Sequence, residues 1–481
     1  MKKFTLTIDE PLFKKLHQHL FPGDGDEHGA VIVAGIAETS SGPRLLAREL
    51  FLAQDGIEYV PGKRGYRALT AQFIAEISDY CAKENLCYLA VHCHRGRDSV
   101  YFSTDDMNSH ERGYPALLDI TRGGPVGALV FAENAVAGDI WTREGRFELA
   151  HATVIGNKVY KIYPEPRAKP RSADPMYDRN TRLFGDVGQE ILAELKVGII
   201  GLGGGGSLLN EWLAHLGVGH IVAIDFDKID HTNLSRVIGS THWDAKSFFT
   251  KRKSDVLKRI GKYFSTYKVK IAERVAKRAS PLIKFEAVVG DILDDSTAKR
   301  LCDADFIFLA TDNVQTRLVF NALVHQYLIP GVQIGIKIPK DVQTQKVGEI
   351  VANTRPVLPF PNGGCLECHD LISPAKLQEE SLTQEELRVQ RYVDDDTVHE
   401  PSVITLNALS AAQGTNDLMM LFTNLYEKEV VLEHQINFVK KRQLLNVGSC
   451  CKQNCPDCSN GHISRRARGD RARLPCRMKT N

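Results

Sequence analysis

A glycine-rich turn between a strand and a helix constrains the fold of this chain more than any other feature. The apolar run Lys196–Ile200 predicts a buried strand, and residues 207–216 have the spacing of a helix. Between them stand the glycines of a GxGxxG pattern, Gly201, Gly203 and Gly206. Such glycines let the backbone approach a phosphate, and the helix N-terminus offers unpaired N–H groups. Further short strands at 221–224 and 306–309 alternate with helices, which predicts an α/β fold with a mostly parallel, Rossmann-like sheet.

An ordered series of polar residues follows the glycines. Asp225 comes directly after the second strand, where an acid can bind a ribose hydroxyl, and up to this point NAD and ATP fit equally well. The run Asn233-Leu-Ser-Arg236 comes next, and Lys268 and Asp312 lie further along. An NAD dehydrogenase has no need for that run, so the series favours ATP. A carboxylate that attacks the α-phosphate of ATP builds up negative charge, which cations must neutralise.

Over residues 177–458 this series resembles the ThiF/MoeB-like adenylation domain that ubiquitin-activating enzymes share. The resemblance implies that ATP and Mg²⁺ are used to adenylate the C-terminal glycine of a ubiquitin-like protein. It assigns the ribose to Asp225, the nucleotide to Asn233, the phosphates to Arg236 and Lys268, and Mg²⁺ to Asp312. Lys253, Lys262 and Lys270 remain alternatives to Lys268. The resemblance also implies a homodimer, in which Arg182 or Arg179 reaches the triphosphate of the partner subunit.

Two CxxC pairs predict a structural zinc site. The cysteines are Cys365, Cys368, Cys455 and Cys458. Two thiolates at that spacing chelate one metal from a tight turn, and two such pairs complete a closed tetrahedron. A redox pair is the less favoured alternative. The resemblance agrees, because related domains hold their C-terminal part with zinc.

The sequence leaves a thioester step open. Many relatives carry a catalytic cysteine in the crossing loop before the last helices, but residues 370–405 contain none, and Ser402 or Val403 stands at that place. The enzyme therefore stops at the adenylate or passes the tag through another thiol, for which Cys450 and Cys451 are the candidates. A conjugating enzyme is a further possible partner.

A second metal site is predicted in the first third of the chain. His92 and His94 lie two apart on a predicted strand and face the same side. Ser103 and Asp106 follow, and Glu27 precedes the strand at 29–33. Two histidines, an aspartate and a water form an open catalytic zinc site that needs a general base. Asp105 is an alternative to Asp106.

This pattern resembles the JAMM (MPN-type) metalloproteases, which cleave bonds after ubiquitin-like tails, over about residues 1–163. The resemblance implies zinc on His92, His94 and Asp106, Glu27 acting on the water and Ser103 stabilising the oxyanion. Arg95 stands where the family usually has proline, and the loop to Ser103 is about one residue longer than the family pattern.

Composition limits the remaining possibilities. A formal net charge of +2 over 481 residues gives no field that points to nucleic acid or membrane, and no apolar run is long enough to span a bilayer. We therefore expect a cytoplasmic protein. The predicted organisation is a JAMM/MPN-like domain at 1–163, a linker at 164–174, an adenylation domain at 175–460 and a basic, disordered tail at 461–481.

These observations lead to a bifunctional hypothesis, in which one chain activates a ubiquitin-like protein and also trims or removes it. The alternative is activation of a sulfur carrier for thiocarboxylate-dependent biosynthesis. A binding scaffold with inactive sites is a third interpretation, and Arg236, Asp312 and the paired histidines argue against it.

Overall fold

The computed structural model describes residues 3–61, 67–170, 172–250, 254–340, 344, 346–381 and 401–477. They form two eight-stranded sheets with helices around them. In the described chain, no helix has both the length and the apolar character needed to cross a bilayer.

The N-terminal region is a sheet that closes on itself. Its strands are β1 (Phe4–Asp9), β2 (Gly29–Ala37), β3 (Arg44–Leu52), β4 (Cys87–Cys93), β5 (Val126–Phe131), β6 (Val136–Thr142), β7 (Gly145–Ile155) and β8 (Val159–Ile162). Its helices are α1 (Glu10–Leu20), α2 (Ala71–Glu84) and α3 (Thr104–Ile120). The strand order is β1-β3-β2-β4-β5-β6-β7-β8, and a parallel pairing of β1 with β7 closes the ring.

The C-terminal region has a sheet that is parallel on one side and antiparallel on the other. Its strands are β9 (Lys196–Ile200), β10 (His220–Ile224), β11 (Lys284–Val288), β12 (Phe306–Leu309), β13 (Gly331–Lys337), β14 (Val351–Val357), β15 (His434–Phe438) and β16 (Gln443–Val447). Strands β11-β10-β9-β12-β13 are parallel, and β14, β15 and β16 add to them in antiparallel fashion. This confirms the predicted Rossmann-like α/β class.

Helices cover both faces of the second sheet. They are α4 (Asp178–Glu194), α5 (Gly204–His215), α6 (Ser247–Thr250), α7 (Asp255–Phe264), α8 (Lys268–Ala279), α9 (Asp295–Ala298), α10 (Val314–Tyr327), α11 (Pro374–Ser381) and α12 (Ile404–Thr423). The chain runs outward from β9 through β10 and β11 and then returns to β12 on the other side of β9. Open α/β sheets bind their ligands where the strand order reverses in this way, at the carboxyl ends of the strands.

The prediction of a disordered tail after residue 460 is wrong for the residues that the structure describes. Residues 461–477 form an ordered segment, here called the strap, between the two sheets. Arg466 in the strap is 1% exposed and donates from Nη1 to Asp9 Oδ2 at 2.9 Å and from Nη2 to the Arg48 carbonyl oxygen at 2.7 Å. Gln326 donates to the carbonyl oxygens of Gly469 and Ala472. These distant partners, and not any local pattern, keep the basic segment folded.

Candidate nucleotide and metal sites

The glycine loop joins β9 to α5 at the point where the strand order reverses. Gly201 has φ of 89°, which favours glycine, and its N–H donates to the Ile224 carbonyl oxygen at 2.9 Å. A methyl group added at Gly206 would lie 1.9 Å from the Gly201 carbonyl oxygen, so a side chain is excluded there. Gly203 caps α5 without a side-chain hydrogen bond, which leaves the first N–H groups of the helix for a ligand.

Asp225 lies beside the loop at the end of β10. Its carboxylate accepts hydrogen bonds from the Leu202 N–H at 2.7 Å and from the Asp227 N–H at 2.8 Å. Burial raises the pKa of Asp225, and the charge of Lys268 opposes this effect. The carboxylate is therefore held rigidly at the edge of the loop, as ribose binding requires.

The structure brings Lys268 into this site. Its Nζ lies 2.6 Å from Asp227 Oδ2 and 3.9 Å from Asp225 Oδ2, at the first residue of α8. Lys270, an alternative in the sequence, instead pairs with Glu273 at 3.0 Å. Lys253 lies outside the described residues. The geometry therefore favours Lys268 over Lys270.

Asn233 and Arg236 lie in the loop that follows β10. Asn233 Oδ1 accepts from the Asp230 N–H at 3.2 Å, so the amide shapes this loop. A methyl group added at Gly204 would lie 3.4 Å from Arg236 Cδ and 2.4 Å from Asn407 Nδ2. Arg236 is thus adjacent to the start of α5. Asn407 also contacts this site. In the sequence, its position as an amide within the apolar run of α12 is the only feature that could have indicated this.

Asp312 is exposed and follows the carboxyl end of β12, the strand that pairs with β9. A methyl group added at Gly201 would lie 2.5 Å from Thr311 Cγ2. Just beyond Asp312, the carboxylate of Glu380 accepts from the N–H groups of Val314 at 2.8 Å and of Gln315 at 2.9 Å, which caps α10. Glu380 was not among the predicted residues, because an acid in a polar segment carries no local sign of such a contact.

Arg182 pairs with an acid on its own helix. It lies on α4, and its Nη2 pairs with Asp178 Oδ2 at 3.0 Å, with both side chains more than half exposed. Among the described residues it has no contact with the glycine loop. Its predicted role across a dimer stays a prediction.

The four predicted cysteines form one buried cluster. Cys365 Sγ lies 3.7 Å from Cys368 Sγ and 3.5 Å from Cys455 Sγ, and Cys368 Sγ lies 3.6 Å from Cys458 Sγ. Hydrogen bonds with Cys365 lower the pKa of the Cys368 and Cys455 thiols. Four sulfurs within 4.8 Å of one another, with no access for water, fit a closed tetrahedral zinc site.

The neighbouring cysteines stand apart from this set. Cys451 Sγ lies 4.0 Å from Cys458 Sγ at the edge of the cluster, and Cys450 is exposed. Ser402 Oγ accepts from Asn407 Nδ2 at 3.1 Å, which places the serine of the crossing loop near the glycine loop. Residues 382–400 of the crossing loop lie outside the described residues.

His92, His94 and Asp106 form the second cluster. His92 Nε2 lies 3.5 Å from Asp106 Oδ1, and His94 Nε2 lies 3.3 Å from Asp106 Oδ2. His94 Nδ1 lies 2.9 Å from the Tyr101 carbonyl oxygen, an arrangement that turns Nε2 towards the cluster. Burial alone would raise the pKa of Asp106, but hydrogen bonds from both histidines hold it well below its usual value. A donor set of two imidazoles and one carboxylate suits zinc with a free fourth position.

Glu27 and Ser103 flank this cluster. Burial raises the pKa of Glu27, and the charges of His94, His92 and Asp106 act on the same carboxylate, so it lies close to the cluster. Ser103 Oγ donates to Asp106 Oδ2 at 2.7 Å and caps α3, so the hydroxyl orients the carboxylate. Its predicted oxyanion role stays a prediction. Asp105 is exposed and is not part of the cluster.

The family match concerns the C-terminal region. The profile of the ThiF family matches residues 177–456. The molybdopterin-synthase adenylyltransferase of Escherichia coli is 32% identical over 135 residues, which are 28% of this chain and 47% of that protein. The sulfur carrier protein ThiS adenylyltransferase of Bacillus subtilis is 29% identical over 138 residues, 29% of this chain and 36% of that protein. This chain therefore spans half or less of the length of these relatives.

Among solved structures, Escherichia coli MccB aligns with a TM-score of 0.45 and 19% identity over 60% of this chain and 74% of its own. Residues 1–176 lie outside the family match. The N-terminal resemblance therefore rests on the residues and geometry of the His92–His94–Asp106 cluster alone.

Proposed function

Because the chain belongs to the ThiF family, we propose that its C-terminal region adenylates the C-terminal carboxylate of a small ubiquitin-like protein. The observation that carries this proposal is the grouping of the glycine loop, Asp225, Lys268 and Asp312 at the reversal point of one sheet. An NAD dehydrogenase would use the glycine loop and Asp225 but has no need for Lys268 or Asp312.

The proposed reaction joins a carboxylate oxygen to the α-phosphorus of ATP and releases pyrophosphate. Lys268 and Arg236 neutralise the charge that develops on the phosphates, and Asp225 holds the ribose. Asn233 fixes the loop around the nucleotide. Asp312 would hold Mg²⁺, which would supply further positive charge for the phosphates. Arg182 from the partner subunit of a homodimer would add a further cation.

Exchange of labelled pyrophosphate into ATP tests this activity in the presence of the carrier protein. Asp312→Ala is expected to reduce exchange by at least about a hundredfold, because it removes the carboxylate that is proposed to hold Mg²⁺ at the phosphates. Asp255→Ala is the matched control, since it removes an acid whose side chain is 85% exposed on α7. Exchange that survives Asp312→Ala would contradict the assignment.

The fate of the adenylate separates two forms of this function. A ubiquitin-like tag would end as an amide or a thioester, whereas a sulfur carrier would end as a thiocarboxylate. The second form is supported by the lack of cysteine in residues 370–405. Mass spectrometry of the carrier after reaction with ATP distinguishes the products, and the tag form requires no added sulfur source.

The N-terminal region has its own candidate function as a zinc peptidase that cleaves after the same tail. The specific observation is the His92–His94–Asp106 cluster with Glu27 beside it. Zinc held by the cluster would activate a water for attack on a peptide carbonyl. Glu27, kept more basic by burial, would accept the proton from that water.

Cleavage of a carrier protein extended beyond its terminal glycine tests this second activity. Glu27→Gln is expected to slow cleavage by about 10²- to 10⁴-fold while the bound zinc is retained. Asp105→Asn, a change of an exposed acid that is not part of the cluster, should leave the rate unchanged. Equal loss in both variants, or none in Glu27→Gln, would refute the peptidase.

A further inference from the structure

A cavity of about 1080 Å³ lies between the two sheets and is not part of any site described above. Strands β1, β7 and β8 form one wall, and α4 with the first residues of β9, β10 and β11 forms the other. The glycine loop follows the carboxyl end of β9, so the cavity lies at the opposite edge of the parallel sheet. Pockets for small ligands typically measure about 300–1,000 Å³, so this one has room for a nucleotide.

The wall formed by the N-terminal sheet is polar. Thr5 pairs with His151 and Thr7 with Thr153 across β1 and β7, and Thr153 pairs with Lys161 on β8. Side chains at paired positions point to the same face of a sheet, so these five form one patch. All five line the cavity. A sheet face that another domain covers is usually apolar, and this one is not.

The patch contains side-chain hydroxyls that form no hydrogen bonds within the described protein. Thr7 is 3% exposed. Across the part of the chain that the structure describes, the hydroxyls of Thr5, Thr7 and Thr153 have no hydrogen-bond partner. Burial lowers the pKa of His151 to about 4, so a neutral imidazole lies beside them. These hydroxyls line the cavity and are therefore available to hydrogen-bond a ligand there.

The charge of the lining favours an anion. Seven lysine and arginine side chains line the cavity against four carboxylates. Glu194 is shared by Lys161 at 3.5 Å and Arg167 at 2.8 Å. Arg44 donates only to main-chain oxygens, those of Cys302 at 2.6 Å and Tyr327 at 3.0 Å. Burial raises the pKa of Asp305, whose carboxylate accepts a hydrogen bond from the Lys196 N–H at 2.8 Å.

From these features we infer that the cavity binds a phosphorylated small molecule of nucleotide size. The threonine hydroxyls and Lys161 would bind the phosphoryl oxygens, and Arg44 would add charge. Tyr160, Tyr163 and Phe184 in the lining provide aromatic faces for a base. Because the ligand would contact both walls, it would tie the two regions together. This inference does not depend on the proposed function.

Binding is tested in the full chain carrying Arg236→Ala and Lys268→Ala. These changes remove phosphate contacts of the proposed adenylation site, so that binding there does not contribute to the signal. AMP, pyrophosphate and inorganic phosphate are titrated separately by calorimetry. We expect AMP to bind with one site per chain. Binding of pyrophosphate as well would show that the phosphoryl group is sufficient, and binding of AMP alone would show that the base is also recognised. No heat from any of the three at millimolar concentration would overturn the inference.

Variants of the patch locate the site. Thr7→Val with Lys161→Gln is expected to weaken AMP binding by at least about tenfold, or about 1.4 kcal/mol. Lys14→Gln, an exposed change on α1, is the matched control and should have no effect. If Thr7→Val impairs folding, Lys284→Gln at the exposed rim serves instead and should weaken binding measurably. Hydrogen exchange should show AMP protecting β7 and β8, and protection confined to the glycine loop would refute the inference.

Discussion

The two candidate metal sites, the four-cysteine cluster and the His92–His94–Asp106 cluster, differ in burial and in the parts of the chain that they join. All four cysteines are buried, whereas His92, His94 and Asp106 are partly exposed. The cysteine pairs lie 90 residues apart in sequence, and the second pair leads directly into the strap. His92 lies in β4, His94 is the first residue after that strand, and Asp106 lies in the helix that follows, α3. A closed cluster that joins distant segments has a structural role, and an open cluster built on a folded scaffold is suited to chemistry.

The largest effect that this comparison predicts is on folding. Cys365→Ser should abolish zinc binding at the closed cluster and unfold the C-terminal region, because structural zinc contributes about 10–16 kcal/mol in small zinc domains. Zinc content and the thermal unfolding transition measure the result. Cys450→Ser, an exposed cysteine beside the cluster, is the control. A Cys365→Ser protein with unchanged zinc and melting temperature would contradict the structural role.

The next largest effect is a loss of activity while the fold is kept. His94→Ala should remove the metal of the open cluster and reduce cleavage by more than about a hundredfold, since the activated water is lost. The melting temperature should change little, because His94 is partly exposed. His17→Ala, on α1, should leave cleavage intact. Unfolding of His94→Ala would show that the open cluster is structural too.

Chelation compares the two clusters in one protein. Brief treatment with EDTA should remove metal from the open cluster and stop cleavage, while the buried sulfurs retain theirs. Pyrophosphate exchange, measured with Mg²⁺ restored, should therefore persist. Simultaneous loss of cleavage and pyrophosphate exchange would contradict the proposed difference in metal retention between the open and the closed cluster.

The smallest effect concerns Ser103. Because its hydroxyl orients Asp106, Ser103→Ala should weaken zinc binding at the open cluster about 10- to 100-fold, as loss of outer-shell partners does. Loss of the α3 cap should cost about 1 kcal/mol of stability. Competition with a zinc-binding dye measures the first quantity. If cleavage falls while zinc affinity is unchanged, the oxyanion role is favoured instead.

The sequence predicts well where a local pattern sets the structure. The sequence predicts the strand Lys196–Ile200 with the bounds that the structure gives, because the apolar run ends at a glycine-rich turn in which Gly201 has φ of 89°. The CxxC pairs predicted their cluster because each pair is a local chelating turn.

Other features depend on contacts that no local pattern carries. Glu380 caps α10 from 66 residues away, and Thr7 faces the cavity only because of how β1 pairs with β7. The arginines after residue 460 have the composition of a disordered tail, and their order depends on distant partners such as Asp9 and Arg48.

The strap also sets an order of events during synthesis. Asp9 caps α1 through one carboxylate oxygen and binds Arg466 through the other, yet the two residues are 457 positions apart. The first domain of a growing chain usually folds while the rest is still being made. Here Asp9 gains its ionic partner only after residue 466 has been made. The contacts around Asp9 are therefore completed later than those within the N-terminal sheet.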